Sequence, residues 1–206
     1  YDDTVRRLNT DERGEFIGAF KSDDRILSIM ESGELKLTGY DLSTHFDDDM
    51  KMVVKFDPDS ILTAVYYDGD QQFYYVKRFQ ISDNTPLNKA INFIGEEKGS
   101  KLVTFSFDHL PRLQFEIKKI SSAETEVEVI PLADFITVKG YKAKGKRLSK
   151  HELRKIKLID PLPYTPPESE SDDIDDIEND IDENFVSDDD VKEIEQEENK
   201  NQESHP

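Results

Sequence analysis

Residues 61–81 read ILTAVYYDGDQQFYYVKRFQI. Two runs of β-branched and aromatic residues, 61–67 and 73–81, flank Asp68-Gly69-Asp70. Asp-Gly between such runs predicts a β-hairpin, because these residues tolerate the backbone angles of a tight reversal. The same grammar extends in both directions. From Arg25 to Met30, Ile26, Ser28 and Met30 fall on one face while Leu27 and Ile29 fall on the other. Ser32-Gly33 supplies a turn, and Glu34-Leu35-Lys36-Leu37 resumes the alternation. A third hairpin is expected from 101–107 and 112–118, where Leu113, Phe115 and Ile117 face one way and charges the other. Residues 124–129 alternate as cleanly. Only Pro86 to Ile94 has helical spacing, with Leu87, Ala90, Ile91 and Ile94 on one face behind a proline suited to a first turn.

The fold class is therefore all-β, built from antiparallel hairpins. They recur about every 40–50 residues, a period that suits a propeller-like array of about three blades. Regularly spaced strands predict a β-sandwich equally well. Either way the hairpins must pack on one another, since an isolated two-stranded ribbon is marginal in water.

The formal charge of −19 is unevenly spread. From Thr165 onward 18 Asp and Glu face only Lys192 and Lys200, leaving −3 for the first 164 residues. The proline-rich run 161–167 cannot donate to a sheet ladder at its prolines and marks a boundary. We expect a β-repeat domain over 1–163 and an acidic, disordered tail over 164–206, too poor in apolar surface to offset the entropy of ordering. Ile174, Ile177 and Ile181 have near-helical spacing there, which leaves room for a helix induced by a partner. With no cysteine, disulfides, thiolate metal sites and a cysteine nucleophile are excluded. No run approaches the ~20 apolar residues of a membrane span, and no signal-peptide plan is present. The expectation is a cytoplasmic protein without membrane contact, and the start at Tyr1 rather than Met reads as a fragment of a longer chain.

Catalytic groupings are sparse. His45, His109, His151 and His205 show no metal-ligand spacing, and Asp47-Asp48-Asp49 lacks the spacing and glycine of a calcium loop, so it reads as a solvated connector. Gly140 to Gly145 lacks the Lys-Ser/Thr pair of a phosphate loop. The prominent feature is the segment 139–157, with nine Lys and Arg against Glu152 alone. Lysines spaced by glycine can approach a phosphate backbone closely and carry little base-reading chemistry. The candidate contacts are Lys139, Lys142, Lys144, Lys146, Arg147 and Lys150, together with the pairs Arg6-Arg7 and Lys77-Arg78. Lys77 interrupts the apolar face of Phe73, Tyr75, Phe79 and Ile81, so its ammonium must reach a sheet rim or find a partner. Charge alone admits duplex DNA, RNA, the acidic tail or an acidic protein as the occupant of the basic loop.

Several stretches resemble one family. Asp3–Asn9 (DTVRRLN), Arg13-Gly14, Asp24–Leu37 (DRILSIMESGELKL), Ala64–Gly69 (AVYYDG) and Tyr74–Phe79 (YYVKRF) are similar to the C-terminal domain of bacterial type IIA topoisomerase A subunits. The family comprises DNA gyrase and topoisomerase IV, and the closer likeness is to topoisomerase IV. Lys139–Leu148 resembles the glycine-bracketed basic segment that closes a blade. The resemblance covers residues 1 to about 160 and implies a non-catalytic β-pinwheel whose basic edge captures or bends duplex DNA for ATP-dependent strand passage. It also implies a B-subunit partner in an A2B2 enzyme, with Mg2+ and ATP used by the whole enzyme and no cofactor in this fragment. The breakage tyrosine belongs to another region in that family. The glutamine-arginine-glycine box that gyrase uses for tight wrapping is missing from these residues.

Overall fold

A computed structural model describes residues 1–118 and 125–166. Contacts divide the chain into units 1–165 and 166–206. Glu124 of the alternating run and the tail from Pro167 onward, with its three isoleucines, lie outside the described residues.

Three antiparallel sheets carry the first unit. Sheet one orders β3 (Met50–Lys55), β1 (Arg25–Met30), β2 (Glu34–Gly39) and β6 (Ile91–Asn92). Sheet two orders β10 (Lys146–Arg147), β5 (Phe73–Gln80), β4 (Ile61–Asp68) and β7 (Lys101–Ser106). Sheet three orders β11 (Leu153–Ile159), β8 (Arg112–Lys118) and β9 (Thr125–Pro131). The expected β-rich, pinwheel-like architecture is present, with one helical turn, α1 (Leu132–Phe135), among the described residues.

The alternation within each strand decides how the sheets stack. Leu27, Ile29, Leu35 and Leu37 of sheet one pack against Leu62, Ala64, Tyr66, Tyr75 and Phe79 of sheet two. The opposite face of sheet two, with Val65 and Val76, packs on Leu113, Phe115, Leu132 and Leu153. Ile26 and Val53, on the outer face of sheet one, are covered by Leu8 and Phe46. Sheet two is thus buried on both faces, which is why 61–81 carries almost continuous apolar residues.

Each sheet is a blade assembled by the same rule. A hairpin forms its two inner strands, a later strand pairs beside the first, and in blades one and two the outer place next to the second is filled from the following blade. β6, after hairpin β4–β5, pairs back onto β2, while β10, after hairpin β8–β9, pairs back onto β5. Residues 1–15 repeat the plan in miniature. Glu15 donates its amide to the Tyr1 carbonyl (2.8 Å), Asp2 bridges Arg7, and Arg7 bridges His45.

Two expectations fail. Residues 86–94 are extended instead of helical. Asn88 sits at φ 59°, its amide donates to Leu37 O (2.7 Å), and Ile91–Asn92 pair with β2. The free backbone edge of β2 outweighs a weak helical pattern, because unpaired strand groups need partners. Phe93 and Ile94 then fill the core between blades one and two. The second failure is the hairpin expected from 101–107 and 112–118. β7 pairs with β4 and β8 pairs with β9 over seven registered residues, so these two runs belong to different blades. The connector Phe107 to Pro111 contains no two-residue turn, and its Ser106 and Asp108 bond to each other.

Turn chemistry also departs from the simplest reading at Asp68. Its Oδ1 accepts the amides of Asp70 (3.0 Å) and Gln71 (2.9 Å), closing a four-residue loop whose left-handed residue is Gln72 at φ 59°. At the other hairpin Gly33 has φ 80°, and a Cβ there would collide with the Ile94 side chain. The Phe79→Ala substitution is expected to cost about 3–5 kcal/mol, since Phe79 is fully buried between two blades. Val127→Ala on exposed β9 is expected to stay within about 0.5 kcal/mol. Urea unfolding of both variants measures the contrast.

Candidate nucleic-acid interface

The basic segment folds as the outer edge of blade two. Lys146 and Arg147 register against Val76 and Tyr75 of β5. Leu148 N donates to Tyr74 O (2.8 Å), Lys139 N donates to Arg78 O (2.9 Å), and Leu148 itself is buried. Gly145 passes so close to the blade that a Cβ would lie 2.7 Å from Val76 O and 3.0 Å from the Tyr66 hydroxyl. The basic loop read from glycine and lysine is a ribbon docked on the blade.

Lys139, Lys142, Lys144, Lys146, Arg147 and Lys150 are all exposed, and none makes an ion pair among the described residues. Four of them lie over aromatic rings. Lys142 stands 5.8 Å from the Tyr141 centroid, Lys144 5.4 Å from Tyr75, Lys146 4.2 Å from Phe135 and Arg147 4.7 Å from Phe73. Each such contact contributes about 0.5–1 kcal/mol at an exposed site, and the Lys146 ammonium also donates to Phe135 O (2.9 Å). Downstream the charge is compensated: Arg154 and Lys118 pair with Glu152, and Lys155 pairs with Glu116.

The remaining candidates fall elsewhere. Arg6 and Arg7 belong to the N-terminal segment on the far face of blade one, where Arg6 pairs with Asp48. Lys36 pairs with Asp47 (3.7 Å), so two carboxylates of the 47–49 run balance local cations. Lys77 and Arg78 are buried, 7% and 6% exposed, and do not join the cationic edge. Lys77 found partners rather than the rim: its ammonium donates to Phe93 O (2.5 Å) and Tyr141 O (2.7 Å) between the rings of Tyr66 and Phe79. Arg78, on the opposite face of β5, donates to Thr63 Oγ1 (3.1 Å) and His109 O (3.0 Å). These two cations fasten the blades and the basic ribbon together. The aromatic layer under the cations was not legible in the sequence, because Phe73 and Arg147 become neighbours only through the exchange of β10 into blade two.

Burial pulls the Lys77 ammonium down from the ordinary lysine value to about 8 and lowers Arg78 as well. Burial also raises the Tyr66 hydroxyl. Among the described residues, no three His, Asp or Glu side chains gather as a metal site, and no helix is long and apolar enough to cross a membrane.

Strand-exchanged antiparallel blades with a cationic outer edge define a pinwheel-type domain. Residues 7–160 match the family described as topoisomerase C-terminal domain, Bacteroidota, and the chain belongs to that family. It is 31% identical over 149 residues to the A subunit of DNA topoisomerase 4 from Borreliella burgdorferi, covering 70% of this chain and 22% of that protein. The chain therefore spans less than a quarter of the length of this relative. The family resemblance drawn over residues 1 to about 160 is borne out.

Lys77→Met is expected to leave two inner carbonyls without a donor and to lower stability by about 2–4 kcal/mol. The pH dependence carries a sign. Between about pH 8 and 10.5 the unfolded chain holds the Lys77 proton more tightly than the folded one, so stability gains as pH rises through that window. The variant lacks this gain. The gap in thermal unfolding between wild type and variant is expected to widen from about pH 7.5 to 10.

Proposed function

We propose that the outer edge of blade two binds duplex DNA, and that the domain serves a type IIA topoisomerase A subunit by capturing or bending DNA for ATP-dependent strand passage. The observation that carries this reading is the row of six exposed cations, unpaired among the described residues, four of them braced on aromatic rings. Phosphates accept from such a row without base recognition, and each phosphate neutralised releases condensed counterions. Binding is then sequence-independent and falls steeply with salt.

On this reading the chain performs no catalysis. The breakage tyrosine, ATP, Mg2+ and the B subunit of an A2B2 enzyme belong to the larger assembly, which acts in the cytoplasm on the nucleoid. The acidic tail offers a competing polyanion in the same polypeptide, with 18 carboxylates able to occupy the cationic edge when DNA is absent.

Reversing Lys142, Lys144, Lys146 and Arg147 to Glu is expected to abolish most DNA retention in a mobility-shift assay titrated with salt. Losing four ring contacts is expected to lower stability by about 2–4 kcal/mol, so binding is compared at a temperature where circular dichroism shows the variant folded. Retained affinity would place the DNA on another surface, and no shift by the wild type at low salt would favour an acidic protein partner. Deleting residues 165–206 is expected to tighten DNA binding at low salt, with the advantage shrinking as salt rises. Equal affinities would remove the tail from the account.

A further inference from the structure

The outer edge of each blade's second strand is covered by a segment that arrives from the following blade. His45 covers Arg7, β6 covers β2 and β10 covers β5, in each case antiparallel. β9 breaks the rule. It holds the same place in blade three as β2 and β5 hold in theirs, yet among the described residues it pairs only with β8. The five residues from Thr125 to Val129 are all exposed, whereas β5 buries five consecutive residues.

The chemistry of that edge is particular. Glu126 and Glu128 register against Ile117 and Phe115 and so share one face of the strand. Val127 and Val129, 57% and 45% exposed, occupy the other. A strand added beside β9 would place its own residues directly opposite these, and opposite charges at facing positions favour pairing while like charges oppose it. The acidic tail of this chain is therefore a poor occupant, and a second copy of β9 would set glutamates near glutamates. The matching occupant is basic at alternate positions and apolar or β-branched between them. β10, the strand that fills this place in blade two, is itself Lys-Arg.

We propose that β9 is an open docking edge that takes up an extended basic segment of a partner protein as the fourth strand of blade three. The added strand runs antiparallel to β9, with a lysine or arginine facing Glu128. Main-chain bonds supply the binding, and Glu128 supplies the preference for basic sequences.

Hydrogen exchange of the 206-residue chain tests this with a synthetic peptide of about ten alternating lysines and threonines. A second peptide of the same sequence, N-methylated at alternate amides, keeps the charge but cannot complete a ladder. The first peptide is expected to slow exchange across Thr125–Ile130 by about tenfold or more, and the methylated one to leave it unchanged. The Glu128→Lys variant changes an exposed side chain and is expected to unfold as the wild type does while losing the protection. Equal protection by both peptides would reduce the effect to charge attraction and overturn the proposal. Binding that leaves the β9 amides unprotected, as capture by the acidic tail would, overturns it too. Protection that grows with protein concentration in the absence of peptide would name a second copy as the occupant, also against the proposal.

Discussion

The buried ammonium of Lys77 is the point on which the arrangement turns. It sits on an inner strand of blade two and bonds two carbonyls from distant stretches of chain, Phe93 on the blade-one side and Tyr141 at the start of the basic ribbon. A charge in that place costs several kcal/mol of hydration unless it is fully engaged, so the two carbonyls must stay where they are. Arg78 repeats the device on the opposite face through Thr63 and His109. One dipeptide thus reaches into both neighbouring interfaces. Apolar packing alone tolerates sliding between sheets, whereas directed bonds from a central strand fix how the blades register.

The cationic edge inherits its geometry from this arrangement. Its backbone is bonded to Tyr74 and Arg78, and its lysines and arginine rest on rings supplied by β5, α1 and the ribbon itself. Charges held this way lose less rotamer freedom on meeting a phosphate than charges on a free loop. The six cations of the ribbon make no ion pair among the described residues, while Arg154 and Lys155 are neutralised by Glu152 and Glu116, so this edge carries a positive field in an otherwise slightly acidic domain.

Much of the fold was legible in the sequence wherever period and turn agreed. The 25–37 and 61–81 hairpins stand where alternation and the Ser-Gly and Asp-Gly signals placed them. The errors share one cause. Residues 86–94 and 101–107 are shaped by partners far along the chain, the free edges of β2 and β4, and local spacing contains no trace of an edge in need of a strand. Charge density singled out 139–150, whose five lysines and one arginine are exposed. The same reasoning could not separate Lys77 and Arg78 from it, since a basic dipeptide in a strand looks alike whether it faces water or the core. Only the apolar neighbours of Lys77 hinted that its charge needed an inner partner.

Strand exchange has a consequence for the order in which the chain can acquire its structure. The hairpin of blade two ends at Gln80, but the strand that closes its edge begins at Lys146. At synthesis rates of about 5–20 residues per second, that closing strand leaves the ribosome roughly 3–13 s after the hairpin it completes. Blades one and two are therefore born with an open side and are sealed only when the next blade is already forming. The blades mature as overlapping pairs, and a break in any one of them withdraws the seal from the one before.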